Sequence, residues 1–154
     1  MLPVVSLKYP GDRCSARCMS VFRVSVRFSN LAGSATWETQ AVVDTGSTLS
    51  KIPQSAAVEL GLEPHGTRTF RLANNKEVER PVAWTRVECE GRSEKILVAI
   101  GEDVEIPLLG ATALEHLGFA ADPVNEILVP TSYYELSMES PVDPSPPLAA
   151  GLTE

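Results

Sequence analysis

"QAVVDTGSTLSKIP", residues 40–53, drives a carboxylate into what reads as the end of a buried strand. Ala41, Val42 and Val43 form an apolar run, Asp44 follows directly, and Thr45, Gly46 and Ser47 after it are all small. A carboxylate is rarely buried unless it is paired or hydrogen-bonded. The residues behind Asp44 supply the means. Gly46 permits a tight turn and close backbone approach, and Thr45 and Ser47 bring hydroxyls that can donate to a carboxylate. The stretch therefore describes a carboxylate held in a hydrogen-bonded turn at a strand end, which is the place of a working group. Asp-Thr-Gly is also ordinary Asx-type turn chemistry between a strand and a helix. The flanks favour the working group: Val42 and Val43 before it, Ser47 and Thr48 after it, and then a proline-started helix.

Outward from this turn the chain reads as mostly β. "VFRVSVRF" (21–28) places Phe22, Val24, Val26 and Phe28 on one face and Arg23, Ser25 and Arg27 on the other, the period of a half-buried strand. "TWETQAVV" (36–43) is a second strand, joined to the first through "NLAGSA" and entering the Asp44 turn. "IPQSAAVELG" (52–61) is a short helix, with Pro53 in its first turn and Gly61 at the C′ position. "TRTFRLA" (67–73), the polar pair Asn74-Asn75 and "KEVERPVAWTRVECE" (76–90) form a long hairpin. Pro81 assigns its part of the second arm to an edge or a bulge. Glu90-Gly91 then turns the chain into "SEKILVAI" (93–100). "IPLLG" (106–110), the helix "ATALEHLG" (111–118) closed by Gly118, and the strand "EILVP" (126–130) complete the pattern.

Composition bounds the function. A chain of 154 residues fits one domain with a substantial core. The net charge of −7 argues against nucleic-acid and anionic-membrane partners, which call for a basic patch. No apolar run approaches the length of a transmembrane helix, and no h-region with a cleavage site opens the chain. Cys14, Cys18 and Cys89 are odd in number and widely spaced, which reads as reduced thiols in a cytoplasmic protein rather than a disulfide framework. His65 and His116 lie far from the cysteines in sequence, so neither a metal site nor a cofactor is expected. Both histidines read as surface residues, and Trp37 and Trp84 as core or interface. The acidic run Glu102-Asp103-Val104-Glu105 reads as a solvated loop.

Three regions are expected. Residues 1–18 lack periodicity and read as a dispensable extension, with Met19 as an alternative start. Residues 19–130 form the folded domain. Residues 131–154 carry four of the twelve prolines and four acids with no Lys or Arg, a composition that does not offset ordering entropy and predicts a largely disordered acidic tail.

"VVDTGSTLS" resembles the active-site segment of the retropepsin-like aspartic proteases. The resemblance extends to "IPLLG" and the helix after it, which stand where that family has two apolar residues, a glycine and a helix. The hairpin around Asn74-Asn75 occupies the family's flap position, and "FAADPVNEILVP" resembles the ending of its small bacterial and archaeal members. Together these cover residues 19–130. The resemblance implies a closed β-barrel with one or two short helices, working as a homodimer. It implies that Asp44 is the catalytic aspartate and that Thr45 braces the active-site turn across the dimer. Gly46 lies beneath the carboxylates, and Ser47 bonds the outer oxygen of Asp44. Leu109 and Gly110 pack behind the loop, and Asn74 and Asn75 are candidate substrate contacts at the flap. The tip "RLANNKEVERP" departs from the glycine-rich retroviral flap, though Asn75 tolerates the positive φ of a tight turn.

The chain holds one Asp-Thr-Gly; Asp12, Asp103, Asp122 and Asp143 sit in other contexts. The family's chemistry needs two carboxylates, so the implied activity is aspartic endopeptidase cleavage of a peptide or protein substrate by a dimer. A dimerisation or peptide-binding module of the same fold without proteolysis is the alternative, and an unrelated small barrel with a coincidental turn is a third. The carboxylate and hydroxyl set favours the enzyme, because a pure binder has no need of a carboxylate there.

Overall fold

The structure, a computed structural model, describes residues 21–133 and residue 135. The expected extension over 1–18 and nearly all of the acidic tail lie outside the described residues.

Two strands open the fold, β1 (Arg23–Ser29) and β2 (Thr36–Asp44), paired antiparallel from Arg23 opposite Val42 to Ser29 opposite Thr36. Their alternation is that of the sequence: Val26 and Phe28 are buried while Arg23, Ser25 and Arg27 face outward or lie at the margin. Phe28 is fully buried, and burial of a side chain of that size is worth about 1.5–3 kcal/mol. Trp37 packs against it, ring centroids 5.9 Å apart.

A short strand, β3 (Ser50–Pro53), precedes helix α1 (Gln54–Leu60). Pro53 caps the helix in extended conformation and Gly61 ends it at φ 66°, in the left-handed region that glycine enters without steric cost. β4 (Thr67–Arg71) and the long β5 (Glu77–Cys89) form the expected hairpin, and β6 (Arg92–Gly101) returns from β5 through Glu90-Gly91. Both turn residues have positive φ, 50° and 76°, as a tight two-residue hairpin requires. β7 (Leu108–Gly110) runs into helix α2 (Ala111–Leu117), which Gly118 closes at φ 73°. A small hairpin of β8 (Phe119–Asp122) and β9 (Ile127–Pro130) follows.

The main sheet orders its strands β1-β2-β7-β3-β6-β5-β4, and β1 also pairs with β5. That pairing, with Phe28 opposite Val87, closes six of the strands into a barrel and leaves β4 outside it. Closure removes exposed edges from the ring. Thr85 secures the seam: its fully buried hydroxyl donates to the Ser29 carbonyl at 2.7 Å. The core inside the ring includes Phe28, Val43, Ile52, Val87, Ile96, Val98 and Leu109, with Leu60, Leu114 and Leu117 added by the helices.

Pro81 sits where the sequence assigns it. It pairs with Thr67 of β4, and the pairing of β5 with β6 begins only at Val82. The missing N–H of proline therefore falls in the two-stranded arm, outside the ring.

Candidate active site

Asp44 stands at the last position of β2, half-buried, with Val43 behind it in the core. Its carboxylate and carbonyl both shape the turn. Oδ1 accepts from the Gly46 N–H at 2.9 Å, and the main-chain oxygen accepts from the Ser47 N–H at 3.2 Å. A small residue after the aspartate lets the chain fold back onto its own carboxylate. Thr45 and Gly46 are exposed and Ser47 is half-buried, so the loop opens to solvent in the single chain.

The Ser47 hydroxyl donates to the Leu49 carbonyl at 2.9 Å, not to the outer oxygen of Asp44. The hydroxyl has one hydrogen, and the carbonyl two residues on lies within its local reach. Ser47 therefore braces the loop that presents Asp44.

Behind the loop, β7 runs parallel to β2 with Leu109 beside Val43 and Gly110 beside Asp44. Leu109 is fully buried in the core. Gly110 donates its N–H to the buried Ser50 hydroxyl at 2.9 Å. A Cβ on Gly110 would stand 2.6 Å from the Leu49 carbonyl carbon and oxygen and 2.8 Å from the Ser47 oxygen, all of them backbone atoms. Only glycine fits. The next two N–H groups also serve the loop: Ala111 donates to the Ser47 carbonyl at 2.8 Å and Thr112 to that of Thr48 at 3.1 Å. The first amides of a helix have no partner inside it, and here the Asp44 loop supplies their acceptors.

The β4–β5 hairpin tip is a loop closed by Asn75 at φ 64°. Leu72 and Lys76 bond across it at 2.8 Å, the Asn75 N–H donates to Leu72, and Asn74 Oδ1 accepts from the Lys76 N–H at 3.0 Å. Asn74 and Asn75 thus build the turn, and both are exposed.

The acidic loop after β6 is exposed over Glu102, Asp103 and Val104, as a solvated segment is, but Glu105 turns inward. Arg80 of β5 grips Glu105 through both oxygens at 2.6 and 2.7 Å, Lys51 of β3 adds a bond at 3.3 Å, and the Glu102 N–H donates at 2.7 Å. Burial pushes the Glu105 carboxyl up, but the Glu102 N–H, the Arg80 guanidinium and the Lys51 ammonium outweigh it and hold it below its ordinary value. Asp103 accepts from the Ser55 N–H at 2.8 Å and so caps α1 from a distance. These partners are far from the loop in sequence, and no local signal announces them.

Other candidates stand aside. His65 and His116 are exposed. Trp84 lies on the outer face of the barrel, with Lys95 over its ring at 4.9 Å. Cys89 is buried, and burial, aided by Glu90, pushes its thiol up to about 11. It is therefore a protonated packing group at neutral pH. Among the described residues no three His, Cys, Asp or Glu side chains converge as metal ligands, and no helix is long and apolar enough to cross a membrane.

Comparison with known proteins identifies the family. The family described as aspartyl protease matches residues 24–113. A retropepsin-like aspartic protease from Rickettsia conorii aligns over 70% of this chain and 89% of its own, with 25% identity and a TM-score of 0.47. The simian foamy virus (mac) protease aligns over 60% of this chain and 90% of its own, with 15% identity and a TM-score of 0.44. The EIAV protease, solved with the inhibitor HBY-793, aligns over 68% and 95%, with 18% identity and a TM-score of 0.43. No curated protein matches. The matched segment runs from β1 into α2, spans more than half the chain and contains both the Asp44 turn and the Leu109-Gly110 strand behind it; this chain belongs to the aspartyl protease family.

Proposed function

We propose that the chain is an aspartic endopeptidase whose working form is a homodimer carrying two copies of Asp44. The observation that carries this reading is the Asp44 turn itself: a half-buried carboxylate, held by the Gly46 N–H and backed by Gly110 and the α2 amides, in a chain with one such motif. One carboxylate does not suffice for the chemistry. A two-fold axis is the commonest way to pair identical groups.

In the dimer the two Asp44 carboxylates work as a pair, one ionised and one protonated, because like charges brought close together do not both ionise cheaply. The ionised member takes a proton from a water as its oxygen attacks the scissile carbonyl. The protonated member donates to the carbonyl oxygen, giving a neutral diol. On collapse the C–N bond breaks, the leaving nitrogen takes a proton from one carboxyl, and the diol returns its proton to the pair. Thr45 braces the two turns across the axis, Gly46 lies beneath the carboxylates, and Ser47, Leu109 and Gly110 hold each turn in place. The β4–β5 hairpin, with Asn74 and Asn75 at its tip, covers an extended substrate that pairs with backbone as an added strand. Residues 19–130 form the protease unit.

Cleavage of a diverse peptide library, read by mass spectrometry across a series of pH values, tests the reading. Wild type is expected to cleave and Asp44→Asn to be inactive. A folded dimer that cleaves nothing would instead favour a peptide-binding module.

A further inference from the structure

Register places one charged cluster on the same sheet face as Asp44. Residues opposite each other on neighbouring strands project to the same side. Val42 lies beside Leu108, and Leu108 lies opposite Lys51. Lys51 lies beside Ala99, and Ala99 opposite Val82, two residues after Arg80. Asp44, Val42, Leu108, Lys51, Ala99, Val82 and Arg80 therefore share a face. Their neighbours Val43, Leu109, Ile52, Val98 and Ala83 belong to the core on the other side, whereas Val42, Val82 and Ala99 are buried outside that core cluster. Lys51 stands two strand spacings from β2, about 10 Å across. Lys51 is level with Val42, two residues before Asp44, so it lies about 12 Å from Asp44, and a substrate bound at Asp44, advancing about 3.3 Å per residue, reaches Lys51 within about four residues.

The charges on this face are not equally occupied. Glu105 accepts from Arg80 twice, from Lys51 and from the Glu102 N–H, which fills its acceptor positions. Arg80 spends its planar fork on that one carboxylate. Lys51 gives it a single longer bond at 3.3 Å, and an ammonium has three donors. Its side chain keeps 20% of its exposure. Asp103 accepts from the Ser55 amide of α1, Glu102 is exposed, and among the described residues the ion pair of Lys51 is the one to Glu105. A partly desolvated cation with spare donors favours an anionic acceptor and penalises an apolar group that would cover it.

Resting on the protease reading, we infer that Lys51 lines a substrate subsite within about four residues of the scissile bond and selects an acidic side chain there, with Arg80 and Glu105 fixing its position. Library cleavage by wild type, Lys51→Met and Lys51→Glu tests this. Wild type is expected to enrich Asp and Glu at one fixed position and to cleave a Glu peptide at least tenfold faster, in kcat/KM, than its Leu counterpart. That preference shrinks as salt rises. Lys51→Met loses it, and Lys51→Glu turns it toward Lys and Arg. Cleavage with no acidic preference in wild type, or a preference that survives Lys51→Met, overturns the assignment and leaves the protease reading standing. Absence of any cleavage by wild type overturns both. Where Lys51→Met does not fold, Lys51→Gln takes its place and is held to the same outcome.

Discussion

Gly110 carries the tightest steric constraint in the site. The atoms a Cβ would meet, in Leu49 and Ser47, are backbone and do not swing aside. Gly110→Ala is therefore expected to push the Asp44 loop outward, at about 1–3 kcal/mol of stability for overpacking. Displacement of the loop carries a further loss of about a hundredfold in kcat, since misplacement of a catalytic group by an ångström has that scale. Urea denaturation and turnover of a good peptide check the two parts separately. Ser50→Ala tests the neighbouring bond from the other side. It leaves the Gly110 N–H without its acceptor in a buried setting, at a cost of about 1–3 kcal/mol by the same denaturation measurement. A Ser50→Ala protein as stable as wild type would show that a water or a shift of the loop replaces the hydroxyl.

At the level of elements, the base of the β4–β5 arm is fastened to the barrel by Arg80 and Glu105, while its tip is free of the ring. Below its ordinary value of 4.5 the Glu105 carboxyl is still ionised, because its folded-state value is depressed. Its contribution is thus fully present above that ordinary value and is lost only as pH falls through the lower, folded value. Glu105→Gln is expected to cost about 1 kcal/mol near neutral pH, a modest figure because the pair is partly solvated. The gap between variant and wild type closes in acid. Hydrogen exchange across residues 65–82 should rise in the variant more than in the barrel. Sequence alone found the helices and the long hairpins, because Pro53, Gly61, Gly118 and Glu90-Gly91 punctuate the chain locally. It did not reveal β3, whose Ile52 and Pro53 read as the start of the helix that follows, or β8, a four-residue strand that reads as part of the loop after the second helix. Nor did it reveal the Glu105 clasp, whose members Lys51 and Arg80 lie 54 and 25 residues away. Such contacts come from the closing of the barrel, and no spacing in the sequence encodes them. The Asp44 turn was legible for the opposite reason: the bonds that close it, from Gly46 to the Asp44 carboxylate and from Ser47 to the Asp44 carbonyl, run between residues two and three apart.

For the whole molecule the proposed pairing of chains makes the deciding prediction. Each chain brings one Asp44 turn, and the loop around it is open in the single chain, with Thr45 and Gly46 exposed. If two turns must meet, activity per chain rises with concentration until dimer predominates, and sedimentation must find dimer over the same range. Mixing gives the sharper test. Asp44→Asn keeps the shape of the turn, so it should still pair with wild-type chains. With random exchange in the dimer range, adding an equal amount of Asp44→Asn to a fixed amount of wild type leaves about half the wild-type chains in fully wild-type dimers. Activity is then expected to fall to about half, provided the mixed dimer is inactive for want of a second ionisable carboxylate. A monomer that works alone would show no change on mixing. The assay therefore separates a site completed by symmetry from one that a single chain completes by itself.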